Sequence, residues 1–128
     1  MMIVTSRYKT EMIDITDAIN EEIAKGGGGK IAHIFAQHTT CAIFISESKD
    51  PNVQRDLLKK LHQFFPSDGQ YAHIGGNGDA HLKAAIMGQS LIVPIENGKV
   101  ALGAMQGIFL ADFDGPRERT ILVSLLNG

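Results

Sequence analysis

Apolar positions along the chain alternate with period two in several short stretches and fall at helical spacing in others. Ile3 to Tyr8 and Met12 to Ile15 predict short strands about a polar turn at Lys9-Thr10-Glu11. Thr16 is placed as an N-cap, its hydroxyl able to accept from an orphan helix N–H, and Ala18, Ile19, Glu22 and Ile23 follow at helical spacing. Gly26 to Gly29 ends that helix, because glycine carries the largest backbone entropy cost. Ile31 to Gln37 and Cys41 to Ser46 read as strands. Asp50-Pro51 is a strong helix start, Asp as N-cap and Pro at the first helical position, and Val53, Leu57, Leu61 and Phe64 form one apolar face behind it.

After the loop Pro66-Ser67-Asp68-Gly69, a short segment Tyr71 to Ile74 leads into the glycine turn Gly75-Gly76-Asn77-Gly78. A helix from Asp79 to Met87 is expected next, closed by Gly88. From Ser90 the pattern is β: Leu91 to Ile95, then Lys99 to Leu102 across an Asn97-Gly98 type I′ turn, then Gln106 to Ala111 and Arg119 to Leu126. The class is α+β, a mostly antiparallel sheet with a few helices on one side, and no linker divides residues 1–128 into more than one domain.

Composition narrows this further. The 128 residues are 44% hydrophobic and 20% charged, a balance that excludes a disordered tail or a coiled coil. Twelve basic against fourteen acidic residues supply no overall positive field for nonspecific nucleic-acid binding. One cysteine, Cys41, excludes an intrachain disulfide and a Cys-based zinc cluster. The N-terminal stretch lacks a signal-peptide pattern, and no apolar run reaches the ~20 residues of a membrane span. The cytoplasm, with no membrane and no nucleic-acid partner, is the expectation.

Two motifs are decoys. Gly26-Gly27-Gly28-Gly29-Lys30 resembles a phosphate loop only at a glance: Ala24 occupies the first glycine position, Ile31 follows the lysine, and the order is helix then strand. Cys41 lies three residues from His38, which on an extended strand puts the two on opposite faces, so a buried small side chain is expected. His33 alternates with apolar neighbours as a sheet histidine, and His62 faces solvent on the long helix.

Three other histidines carry the chemistry. His38 ends a strand in Gln37-His38-Thr39-Thr40, His73 precedes a glycine turn, and His81 opens a helix. Functional side chains concentrate at such element ends. Three imidazoles would leave an open position on a divalent metal, and the expectation is that His38, His73 and His81 converge on one, Zn²⁺ by ligand type. Asp56 is expected nearby as a base or orienting group. Glu47, Asp50 and Asp56 are the oxygen donors that Mg²⁺ would prefer. Asp50 is also explained as an N-cap, Asp56 as a partner of Lys60, and Asp114-Gly115-Pro116 as a turn. Asp112, Asp114, Arg117 and Arg119 form a charged hook suited to holding an anion.

The ordered pieces resemble one family. They are His38-Thr39-Thr40-Cys41-Ala42-Ile43, Glu47, Asp50-Pro51 with Asp56, Tyr71-Ala72-His73, Asn77, Ala80-His81-Leu82-Lys83, Gly88-Gln89-Ser90, Val93-Pro94-Ile95, Leu102-Gly103 with Gln106, and Asp112-Phe113-Asp114-Gly115-Pro116-Arg117 with Arg119. Together they look like the YjbQ-like uncharacterised protein family, also called the secondary thiamine-phosphate synthase family. The resemblance implies a compact α+β fold, a homotrimer, a weak thiamine-phosphate synthase activity and a bound divalent metal. It implies catalytic roles for Glu47, Asp56 and Lys83, and contacts to a phosphorylated small molecule from Asn77, Ser90, Gln106, Asp112, Asp114, Arg117 and Arg119. Met105 stands where many members have tryptophan, and Asp112 where glutamate is commoner.

Two kinds of function stay open. One is an enzyme on a phosphorylated small molecule, either the synthase or a metal-assisted hydrolase, since three histidines point to metal-activated water. The other is a non-catalytic trimer that binds a small anion through Lys83, Arg117 and Arg119.

Overall fold

A computed structural model describes residues 1–127. The chain runs β1 (Met2–Thr5), β2 (Glu11–Asp14), α1 (Thr16–Lys25), β3 (Ile31–Ala36), β4 (Cys41–Glu47), α2 (Pro51–Phe64), α3 (Gly78–Met87), β5 (Ser90–Glu96), β6 (Lys99–Val100), β7 (Gln106–Asp112) and β8 (Glu118–Leu126). The α+β class holds, but the strands divide into two sheets. A five-stranded sheet has the order β1-β8-β3-β5-β6 and a three-stranded sheet the order β2-β7-β4, with every pairing antiparallel.

The alternation of side chains explains the layering. In β4, Cys41 and Ile43 point into a core shared with the larger sheet and α1, while Ala42 and Phe44 point the other way. In β7, Ile108 and Leu110 join the first core, and Phe109 and Ala111 a second one with Leu61, Ala80 and Ala84 of the helices. The small sheet is therefore sandwiched between the large sheet and the α2/α3 layer. The opposite face of the large sheet carries Ile3, Phe35 and Ile92, which are 57%, 36% and 66% exposed. The register places them on one side, since Ile3 faces Thr120, Phe35 faces Leu122, and Ile92 faces His33.

Local expectations fare unevenly. Asp50 Oδ1 accepts from the Asn52 N–H at 3.0 Å, with Pro51 at the first helical position. Asn97 and Gly98 have φ of 53° and 77°, the positive pair a type I′ turn needs. Thr16, however, is not the cap of α1. Ile15 takes that position without a side-chain bond, and the Thr16 hydroxyl instead accepts from the Ile108 N–H at 2.9 Å, tying the helix start to β7. The predicted apolar face of α2 is buried only in its middle: Leu57 and Leu61 pack on the second core, while Val53 and Phe64 are exposed. Tyr71 to Ile74 is loop. Among the described residues no helix is long and apolar enough to cross a membrane.

Candidate functional site

The charged hook after β7 closes onto β8. Asp112 is fully buried, and both its oxygens meet Arg119: Nε to Oδ2 at 2.9 Å and Nη2 to Oδ1 at 2.7 Å. The Ser6 hydroxyl donates to Asp112 Oδ2 at 2.7 Å, and the Asp114 N–H to Oδ1 at 3.0 Å. Burial alone would raise the Asp112 carboxyl, but the bonds from Arg119, Ser6 and Asp114 outweigh it and hold the pKa below its ordinary value. Arg119 Nη2 also donates to the Thr40 hydroxyl at 2.8 Å. Asp112 thus anchors Arg119 from behind, a positioning role rather than the direct ligand contact its place in the motif implies.

Arg119 borders a cavity of about 360 Å³ with His38, Thr39, Thr40, Asn77, His81, Asp114 and Arg117. His38 reaches it from the end of β3. The Thr120 N–H donates to His38 Nε2 at 2.8 Å. A backbone N–H can only donate, so Nε2 is the unprotonated nitrogen and Nδ1 carries the proton. Burial, and secondarily the Arg119 charge, push the His38 pKa below 6.5, which keeps this neutral tautomer.

A second chain of bonds fixes the opposite wall. Asn77 Nδ2 donates to Asp114 Oδ2 at 2.8 Å, so its Oδ1 is left to accept from His73 Nε2 at 3.0 Å. Arg117 Nη2 donates to the same Asp114 oxygen at 3.1 Å, and Arg117 Nε to the Asp114 carbonyl at 2.8 Å. His73 and His81 stand edge to face, ring centroids 4.7 Å apart. His81 makes no side-chain hydrogen bond among the described residues.

These bonds test the expected metal. Among the described residues, no three His, Cys, Asp or Glu side chains are grouped to hold an ion. The reason lies in His38: its Nε2 accepts from a backbone N–H, which puts the proton on Nδ1 and leaves the ring no open lone pair, whereas His73, donating through Nε2, keeps Nδ1 open. Of the three, only His81 has both ring nitrogens free of such bonds among the described residues. His38 and His81 line the same cavity and His73 stands against His81, but with the His38 ring engaged the three do not fit a shared Zn²⁺.

The carboxylates offered for Mg²⁺ lie outside the cavity. Glu47 accepts from the N–H groups of Lys49 and Asp50, closing the turn before α2. Asp50 caps α2, and Asp56 is exposed on it without an ion pair among the described residues. Ser90 bonds His33 Nε2 at 2.7 Å on the large sheet, which satisfies that sheet histidine. Gln106 accepts from the Gly103 N–H and borders a different cavity, beside Asp14 and Lys49. Lys83 is buried against Asp79, facing the α2 layer rather than the histidines. Cys41 is buried in the core, and burial pushes its thiol up to about 11, which leaves no thiolate near neutral pH. Sequence reasoning assigned no roles to Thr39, Thr40, Ser6 and the Thr120 backbone. The Thr39-Thr40 pair beside His38 was the available signal, whereas Ser6 acts on Asp112 from 106 residues away.

The family model described as UPF0047 protein YjbQ-like matches residues 1–128. A UPF0047 protein of Methanocaldococcus jannaschii is 39% identical over 127 residues, covering 96% of this chain and 90% of the relative. UPF0047 protein YugU of Bacillus subtilis is 37% identical, covering 98% and 99%. The crystal structure of an uncharacterised conserved protein of this family from Clostridium acetobutylicum superposes with a TM-score of 0.91 at 41% identity, over 96% of each chain. With the whole chain matched in sequence and in fold, this protein belongs to the YjbQ-like UPF0047 family.

Proposed function

We propose that the protein recognises the phosphoryl group of a small metabolite in the His38–Arg119 cavity, with His81 as the group that exchanges a proton with it. One observation carries this reading. The acids around the cavity are paired with its arginines: Asp112 accepts four bonds, two of them from Arg119, and Asp114 Oδ2 accepts from Arg117 as well as Asn77. The lining residues keep donors without a partner among the described residues: the Nη1 groups of Arg117 and Arg119, His38 Nδ1–H and the Thr39 hydroxyl. A fixed set of N–H and O–H donors in a concave site suits a phosphoryl oxygen cluster. His81, with both nitrogens unengaged, is the side chain there able to accept or donate a proton.

Thiamine-phosphate synthesis, which the family resemblance implies, shares the anion-holding half of this reading. Its pyrophosphate leaving group would call for a divalent cation, and Glu47, Asp50 and Asp56 lie away from the cavity. Phosphoester recognition is therefore the reading adopted. Assembly as a homotrimer belongs to the same proposal, supported by the uncovered apolar face of the large sheet.

The test is calorimetric titration of inorganic phosphate and pyrophosphate, with turnover of a small phosphate monoester followed in parallel. Arg117 is exposed, so Arg117→Gln leaves the fold intact; it should weaken binding about tenfold, the worth of a charge-assisted bond. His81→Gln should retain binding and lose turnover. Binding indifferent to Arg117→Gln would remove the reading; binding without turnover in any variant leaves the anion module and removes the proton-transfer role.

A further inference from the structure

A second cavity, of about 310 Å³, lies between α2, α3, the β1–β2 turn and the end of β7. Leu58, Leu61 and Phe113 form its apolar walls, and Lys59 and His62 stand exposed on α2 at its rim. Lys83 also lines it, though only 3% exposed, and donates to Asp79 Oδ2 at 2.8 Å. Asp79 is 2% exposed, and its Oδ1 is buried with no hydrogen-bond partner among the described residues.

The pair is incompletely satisfied. An ammonium carries three donors, and Lys83 uses one of them among the described residues. Taking both charges out of water costs more than their attraction returns unless further hydrogen bonds complete the geometry. An exposed i,i+4 pair would support α3 equally well without that cost. A buried ammonium with free donors at an apolar cavity is instead what a ligand's oxygen would complete.

The lining selects the ligand class. It holds two ammonium groups and no carboxylate, because Asp79 stands behind Lys83 and is not part of the wall. With the Lys83 charge paired to Asp79 and Lys59 the other cation of the lining, the site suits a single negative charge better than a phosphate dianion. The Leu58, Leu61 and Phe113 walls ask for hydrocarbon, and the volume is at the small end of ligand pockets, about 300–1,000 Å³. We infer that this cavity binds a small carboxylic acid with an aromatic or branched apolar body, its carboxylate received by Lys83 Nζ and Lys59. The site is distinct from the histidine cavity, with which it shares no lining residue.

Phenylacetate is the probe, titrated into the full chain and followed by amide chemical shifts, with neutral 2-phenylethanol as the isostere. Phenylacetate should shift amides of α2 and α3 and bind at least about threefold tighter than the alcohol, the margin one exposed charge contact gives. Leu58→Trp, which fills the cavity, should weaken it more than tenfold, and Lys59→Gln about threefold. Lys59 is exposed, so that variant keeps the test intact if Leu58→Trp fails to fold. Arg117→Gln should change nothing. No binding, equal binding of the alcohol, or a loss caused by Arg117→Gln in place of Lys59→Gln would overturn the inference. The last outcome would assign the acid to the histidine cavity.

Discussion

Replacing Arg119 by methionine removes three hydrogen bonds at once, two to Asp112 and one to Thr40. The more serious consequence is the charge left behind, because Asp112 is fully buried. Breaking one side of a buried pair costs about 3–5 kcal/mol. Asp112 keeps the Ser6 hydroxyl and the Asp114 N–H, so the lower end, about 3 kcal/mol, is expected for Arg119→Met. In a domain of this size that lowers Tm by about 12 °C. The pH dependence gives a second signature. In the parent protein the depressed Asp112 pKa contributes stability that is complete above the unfolded value near 3.8 and is lost as pH falls through the folded value. In Arg119→Met, burial without the cation raises that pKa, so the penalty is greatest at neutral pH and fades as the carboxyl takes up a proton. The gap between the two proteins should therefore narrow on going from about pH 7 to about pH 4. Urea unfolding of Arg119→Met, Asp112→Asn and the double variant measures both effects, and the double should cost about 2 kcal/mol less than the sum. A cost below about 1 kcal/mol, typical of an exposed pair, or strict additivity would refute the anchoring role.

His38 should give the fold an acid limb of its own. Its folded pKa lies below 6.5, so stability declines as pH falls through that value, where the unfolded chain takes up a proton first; His38→Gln should flatten the limb in pH-dependent urea melts. The proposed trimer should assemble through the open face of the large sheet. Ile92→Lys, at a 66% exposed position, should shift sedimentation equilibrium toward monomer without lowering helical or strand content; an unchanged mass would clear that face of the role.

The features legible in the sequence are those decided locally. Asp50-Pro51 and Asn97-Gly98 fix their own backbone through capping and positive φ, and both came out as expected. The split into two sheets was not legible, because β7 pairs with β2 and β4 across most of the chain and nothing local names those partners. Thr16 had a respectable local role as a cap and lost it to a tertiary acceptor role toward Ile108. At the site, places at element ends singled out His38, His73 and His81, but nothing in the sequence reveals which of their nitrogens are engaged. Lys83 was misplaced for a simple reason. It follows His81 by two residues on a helix, a rotation of about 200°, so the two side chains serve opposite faces. Glu47 and Asp50 were drawn off by turn and cap donors that a reading of charge clusters does not weigh.

The two-sided burial of β4 and β7 bears on which length changes the chain can survive. Shifting either strand by one residue exchanges the contents of both cores together: Ile108 and Leu110 would enter the helical side, and Phe109 and Ala111 the sheet side. No solvent-facing surface exists there to absorb the error, as it would on the outer face of the large sheet. A single-residue insertion in β7 should therefore be lethal to the fold, whereas the loop between α2 and α3, which crosses neither core, can lengthen freely. The middle layer thus acts as the ruler of the molecule, setting the spacing between the large sheet and the helical layer.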